Sequence, residues 1–235
     1  MGGRNRIRRK GKRSIGFATI IFVVLCAVVL TASACAGPAG KPPAGAPPAA
    51  SGTAQGCKTS VSLPKDEAPH SAPVEWWYFS GHLSGTDATG HVHTYGYEDV
   101  VFQFLGLTPQ PIYLGDLAIT DLSRKTFQFA GKQDSYAVPK TVSRFALHAG
   151  NWTMSGGSGS DALTAGMPGY SLNLGLRTSQ PAVPEGNKCG YISMASLGSS
   201  YYYSWTSLVT TGTIVDHGVT LKVTGHPGWT TSGGR

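Results

Sequence analysis

Eleven residues, PVEWWYFSGHL (73–83), place a carboxyl at Glu75, indoles at Trp76 and Trp77, a phenol at Tyr78 and an imidazole at His82. Carboxyl and imidazole groups can pass protons, and aromatic faces can steady a developing cation. That set suits acid-assisted chemistry on an apolar molecule, with Glu75 and His82 as the candidate catalytic groups. A structural role competes at both: Glu75 as an acceptor for N–H groups at a strand start, His82 as a hydrogen-bonded core histidine. Elsewhere, His91 and His93 share one strand face, a spacing known from metal sites, but no third ligand stands near them. Asp216-His217 precedes Gly218, as a hairpin turn would have it. No GxSxG elbow occurs. Neither metal nor cofactor is expected.

The elements that must carry these groups read as strands. Alternation along 75–83 puts Glu75, Trp77, Phe79, Gly81 and Leu83 on one face and Trp76, Tyr78, Ser80 and His82 on the other. Both faces are aromatic, so neither is a plain solvent face. A strand buried on both sides would look the same. A second run, SSYYYSWTSLVTTGTI (199–214), sets Tyr201, Tyr203 and Trp205 on one face and Tyr202, Ser204 and Leu208 on the other. Phenols beside indoles make an amphiphilic wall. The candidate ligand-binding residues are therefore Trp76, Tyr78, His82, Tyr201, Tyr203 and Trp205, gathered as walls of a shared cup.

Beyond the N-terminal segment no stretch keeps a 3.6-residue apolar period for three turns. Short β-branched and aromatic runs recur instead, between Gly, Pro, Asn and Asp turns. Strands are expected near 74–83, 91–105, 112–121, 125–130, 143–149, 151–155, 169–177, 190–196, 200–215 and 219–224. GTDATG (85–90), HAGN (148–151) and MSGGSGSD (154–161) read as turns, and QPAVPEGNK (180–188) as a loop. Many short strands at this spacing argue an all-β antiparallel barrel or sandwich.

The net charge of +7 belongs to the N-terminus. Seven of the 19 Lys and Arg lie in the first thirteen positions; without them 12 basic residues face 12 acidic ones. Nucleic acid is not an expected partner. The basic start, the apolar GFATIIFVVLCAVVL (16–30) and the small residues TASAC (31–35) form an export signal, residues 1–35. Ala32-Ser33-Ala34 suits an ordinary signal peptidase, and the same residues before Cys35 make a loose lipobox with Cys35 as the lipidation site. A Pro/Ala/Gly-rich stretch to residue 60 is a linker unable to bury a core. The folded part is thus expected outside the cytoplasm, on a membrane through a lipid anchor or the leader, or secreted. There Cys57 and Cys189 are candidates for a disulfide, which would contribute about 4–5 kcal/mol through loop closure. Either cysteine could equally be free.

APVEWWYFSGHL, then IYLGDLAITD (112–121), then SSYYYSWTSLVTTGTI resembles, in order and spacing, the AttH-like, carotenoid 1,2-hydratase (CrtC-like) family. The resemblance spans roughly 70–225 and implies a lipocalin-like domain over 61–225, a calyx for carotenoids or polyketide-like compounds, and a second such domain to follow. In that family some members hydrate an isolated C=C bond. After VTG (223–225) the family pattern continues W-x-D-H-x-W, whereas this chain reads HPGWTTSGGR (226–235). That stretch is expected to be a truncated tail without the second domain, produced by a frameshift: read two bases out of phase, codons for Trp229 to Gly234 can encode Leu-Asp-His-Gln-Trp-Gly. The gene sequence decides this, and immediate stop codons in the shifted frame would contradict it. Two functions compete: a lipocalin-like module binding a hydrophobic small molecule, and a hydratase-like lyase, inactive as truncated.

Overall fold

Local chemistry and alternation build fourteen strands among the described residues of this computed structural model, which are 60–178, 180–186, 188–193, 198–226 and 230–234. The expected leader, nearly all of the linker, Cys35 and Cys57 lie outside them. Residues 60 onward fall within the compact unit Gln55–Arg235. A 3-10 turn, Lys65–Glu67, is the one short helix among the described residues. None of their helices is long and apolar enough to cross a membrane.

The strands are β1 Val74–Thr86, β2 Val92–Phe104, β3 Ile112–Asp121, β4 Thr126–Ser135, β5 Phe145–Ala149, β6 Trp152–Gly157 and β7 Ser160–Met167. They continue with β8 Tyr170–Arg177, β9 Val183–Pro184, β10 Tyr191–Ser193, β11 Ser199–Trp205, β12 Val209–Asp216, β13 Val219–His226 and β14 Thr230–Gly234. All pair antiparallel in a nearly closed, lipocalin-like barrel. β4, β3, β2 and β1 run as a meander, and β5 to β8 as another. On its far edge β1 meets β13 at His82–Gly85 and β14 at Trp76–Trp77. β12 joins β13 to β8, while β11 joins β14 to β9 and β10.

Three sequence expectations change here. Residues 200–215 are not one strand but two, broken at 206–208. The glycine-rich turn 154–161 is tighter than expected, its flanks being β6 and the unanticipated β7, whose alternating Asp161, Leu163 and Ala165 are buried. Residues 230–234, expected in a tail, pair as β14. The tight turn at His217-Gly218 does form, with φ of 48° and 89°, the left-handed pair a two-residue hairpin favours.

Large apolar side chains of the described residues pack the barrel interior. Trp77, Phe79, Tyr95, Tyr113, Leu117, Phe145 and Met154 are all at most 2 % exposed and pack into one core with residues of β7, β8, β12 and β13. Truncating one of these large side chains to alanine costs about 3–5 kcal/mol. Between β4 and β5 the wall closes through side chains. Tyr136 stacks on Tyr113 at 3.9 Å and on His148 at 3.9 Å, and its hydroxyl donates to the His148 carbonyl and accepts from the His148 N–H.

The end carrying the β1–β2, β3–β4 and β12–β13 turns is tied by charge. Arg124 donates to buried Asp121 at 2.6 Å and to buried Asp216 at 2.5 Å, while Tyr170 and Tyr95 donate to the same two carboxylates. Burial opposes ionisation of Asp121, but Arg124 and Tyr170 outweigh it and hold its pKa below the usual range. The opposite end is crossed by the segment 61–73 before β1.

Candidate functional site

Alternation in β1 sends Glu75, Trp77, Phe79 and Leu83 inward, and Trp76, Tyr78, Ser80 and His82 outward. Register then composes the outer face. Trp76 lies opposite Phe102 of β2, Tyr78 opposite Val100, and Ser80 opposite Glu98; Val100 lies opposite Asp116 of β3, and Phe102 opposite Leu114. Opposed antiparallel residues share a face. β11 adds its own outward residue from the other side of β14, whose Gly234 stands opposite both Trp76 and Tyr202. The Tyr78 and Tyr202 hydroxyls are hydrogen-bonded at 2.8 Å, and the Trp76 and Tyr202 rings are 6.2 Å apart.

Acids complete this face. Burial raises the pKa of Glu98. Burial first, and Glu98 second, push Asp116 up to about 6. Tyr78 is raised far beyond the ordinary phenol value by burial, then by Tyr202, with Glu98 and Glu185 adding. Glu185 also accepts from the Ser204 hydroxyl at 2.5 Å. Behind the face, inward-pointing Asp99 is pushed up to about 7 by burial and then by Asp116. Among the described residues no ion pair joins Glu98, Asp99 or Asp116 to a cation. The result is an aromatic surface with two phenols and two carboxyl groups that hold protons more readily than solvated acids do.

The sequence-predicted residues do not gather as one wall. Trp76 and Tyr78 stand on the outer face; Trp205 points the other way, packing against the core, and Tyr203 on its side of β11 is 2 % exposed. Tyr201, also on that side, meets Tyr191 edge-on at 5.7 Å. The expected partnership of Trp76 and Tyr78 with Tyr201, Tyr203 and Trp205 is therefore replaced by one with Tyr202. The reason is the period of two: β11 offers β1 its even-numbered face. His82 is exposed near the far end of β1. Glu75 is buried, accepts from the His70 N–H at 2.7 Å, bonds the His70 ring at 2.6 Å and is reached by Gln103. These contacts are those of a structural acceptor. Glu98, Asp99 and Asp116 went unremarked in the sequence, although adjacent acids in a strand core, YEDVV, with no nearby base were a usable signal.

His93 bonds Asp87 and lies 4.0 Å from Asp216, and His91 packs edge-on to it. No group of three or more His, Cys, Asp or Glu side chains among the described residues is disposed to hold a metal. Cys189 is buried and disulfide-bonded, and its expected partner, Cys57, lies outside the described residues. An open hollow of about 510 Å³, bordered by Lys132, Asn151, Met167, Tyr170 and Val215, lies apart from the outer aromatic face.

A family model described as AttH-like matches residues 55–230. Two crystal structures are similar in fold. An AttH protein from Nitrosomonas europaea superposes with a TM-score of 0.63 at 22 % identity, over 75 % of this chain and 56 % of that one. Kievitone hydratase from Nectria haematococca gives 0.54 at 14 % identity, over 75 % of this chain and 51 % of that one. This chain thus spans about half the length of each. No curated protein sequence matches it.

Proposed function

The chain belongs to the AttH-like family, and from that premise we propose that its outer aromatic face binds an apolar, isoprenoid- or polyketide-like molecule that carries an oxygen. The observation that carries this reading is the Tyr78–Tyr202 hydroxyl pair beside the Trp76 ring. Rings from both sides of β14 supply apolar area, and the paired hydroxyls supply a donor and an acceptor for a ligand oxygen. The packed interior argues against a lipocalin-type cup as the place of binding.

A second reading, hydratase-like chemistry, is favoured by Asp116. A carboxyl group with its pKa near 6 remains partly protonated close to neutrality and can donate to an alkene carbon. Water then adds to the neighbouring cation and returns its spare proton to the carboxylate, so one C=C bond and one water become an alcohol. Trp76 and Tyr78 would face that cation.

Titrating the protein with farnesol while following tryptophan fluorescence and ligand mass separates the readings. Saturable quenching at constant mass supports binding, quenching with the gain of one water supports hydration, and no quenching contradicts both. The domain would work outside the cytoplasm, held to a membrane by lipid on Cys35, with secretion as the alternative. Labelled palmitate incorporated by the wild type and not by Cys35→Ser supports the anchor, and equal labelling of both contradicts it.

A further inference from the structure

Residues of the β5–β6, β7–β8 and β12–β13 turns border the open hollow of about 510 Å³, whose walls are apolar at Met167, Pro168 and Val215 and polar at Ser171, Asn151 and Lys132. Lys132 is the one charged residue among the described residues that line it. Its ammonium donates to the Asn151 side-chain carbonyl and lies 5.0 Å from the centre of the Trp152 ring. Among the described residues no carboxylate pairs with that ammonium. The one acid on the same strand, Asp134, is taken by the His148 ring and the Gly150 N–H. Asp121, to which Tyr170 donates, and Asp216 are both held by Arg124. An oriented cation without a counter-charge therefore borders a hollow whose other lining groups are neutral.

The walls are fixed before any ligand arrives. The Trp152 indole, whose ring lies under the ammonium, donates to the Gly166 carbonyl at 2.8 Å and so holds that part of the wall as well. His217 holds the β7–β8 turn. Its N–H donates to the Gly169 carbonyl at 2.7 Å, its ring meets Tyr170 edge-on at 4.9 Å, and its Nδ1 is 2.7 Å from the Asp216 carboxylate. Packing is close at both glycines: a Cβ on Gly166 would stand 3.0 Å from Ser171 Cβ, and one on Gly169 would stand 3.0 Å from His217 Nε2. Little has to be ordered on binding, which lowers its cost.

We propose that this hollow is a second binding site, separate from the outer aromatic face, for a small carboxylate with a compact apolar body. The Lys132 ammonium takes the carboxylate in a charge-assisted hydrogen bond, and the Asn151 amide and Ser171 hydroxyl supply further donors. Met167, Pro168 and Val215 cover the apolar body. One cation suits one negative charge, so a monoanion is the ligand rather than a phosphate dianion. A neutral alcohol of the same shape leaves the ammonium without its counter-charge.

Benzoate and its neutral counterpart benzyl alcohol test this on the full chain, with backbone amide shifts followed by NMR. Benzoate should bind saturably and move the amides of Gly166, Gly169, Ser171 and Gly218, while those of Trp76 and Tyr78 stay in place. Benzyl alcohol should bind at least about tenfold more weakly than benzoate. Lys132→Met, which keeps an aliphatic stem over the Trp152 ring, should weaken benzoate by about the same factor, and Lys132→Arg should restore it. Comparing the two ligands needs the wild type alone, so it decides whatever the substitutions do to folding. Farnesol on the outer face uses other residues and another probe, so that reading stands or falls separately. The proposal is overturned by the absence of saturable shifts, by equal affinity for the two ligands, by full benzoate affinity in a folded Lys132→Met, or by shifts confined to the outer face.

Discussion

Glu75 and Asp99 are both inward-facing acids, and their surroundings give them opposite consequences. Glu75 satisfies the His70 N–H and ring and meets Gln103, which in turn accepts from Tyr113. Glu75→Ala would strand those donors in a buried site and cost about 2–4 kcal/mol, read as a lowered urea midpoint. Glu75→Gln should keep farnesol quenching, because the residue is remote in role from the outer face; its loss in a folded variant would return Glu75 to the site. Among the described residues, no side-chain donor is hydrogen-bonded to Asp99. Its pKa, pushed up to about 7 by burial and then by Asp116, lies above that of an unfolded aspartate. The stability tied to it is therefore whole below about pH 4 and is lost as pH rises through about 7. Asp99→Asn should melt higher than the wild type at alkaline pH and close to it at acid pH. Parallel melting curves for the two proteins at both pH values would count against this account of Asp99.

Strand geometry decides which of these residues can meet. The alternation in EWWYFSGHL is legible from the sequence and matches the burial along β1, whereas SSYYYSW carries a register shift between Tyr202 and Ser204, and Leu208, read onto the Tyr202 face, is buried in the core. Which face of one run looks toward which face of the other is not legible. That choice depends on β14, five residues in a segment that reads as a tail, inserting between β1 and β11. The same blindness hid Asp116, whose place beside Glu98 follows only from the β2–β3 register. Fold class fared better, because turn residues and β-branched runs are local signals, whereas barrel closure is not. The β4–β5 seam is bridged by Asp134, through His148 and Gly150, and by Tyr136, a residue with no sequence mark. Tyr136→Phe removes two hydrogen bonds to the His148 backbone and should cost about 1–2 kcal/mol, with faster exchange of the His148 amide. Unchanged stability and exchange would show that the Tyr136 hydroxyl is dispensable and that the ring stack and the Asp134 contacts to His148 and Gly150 close the wall.

Taken whole, the described residues form an AttH-like barrel with a packed interior, one end tied by Arg124 and two aspartates, the other crossed by residues 61–73, and an aromatic, acid-bearing outer face. Among the described residues, that face sets the partly exposed rings of Trp76, Tyr78 and Tyr202 beside Glu98 and Asp116, which no ion pair engages. The most direct test of this account is farnesol binding by the wild type, Trp76→Ala, Tyr202→Phe and Tyr203→Phe, measured by calorimetry so that loss of a fluorophore does not intrude. Trp76→Ala and Tyr202→Phe should weaken binding by about tenfold or more, in line with an anchor ring and a desolvated hydroxyl, while Tyr203→Phe binds as the wild type does. Full affinity in the first two, or its loss only in Tyr203→Phe, would place the ligand on the other side of the wall and contradict the account.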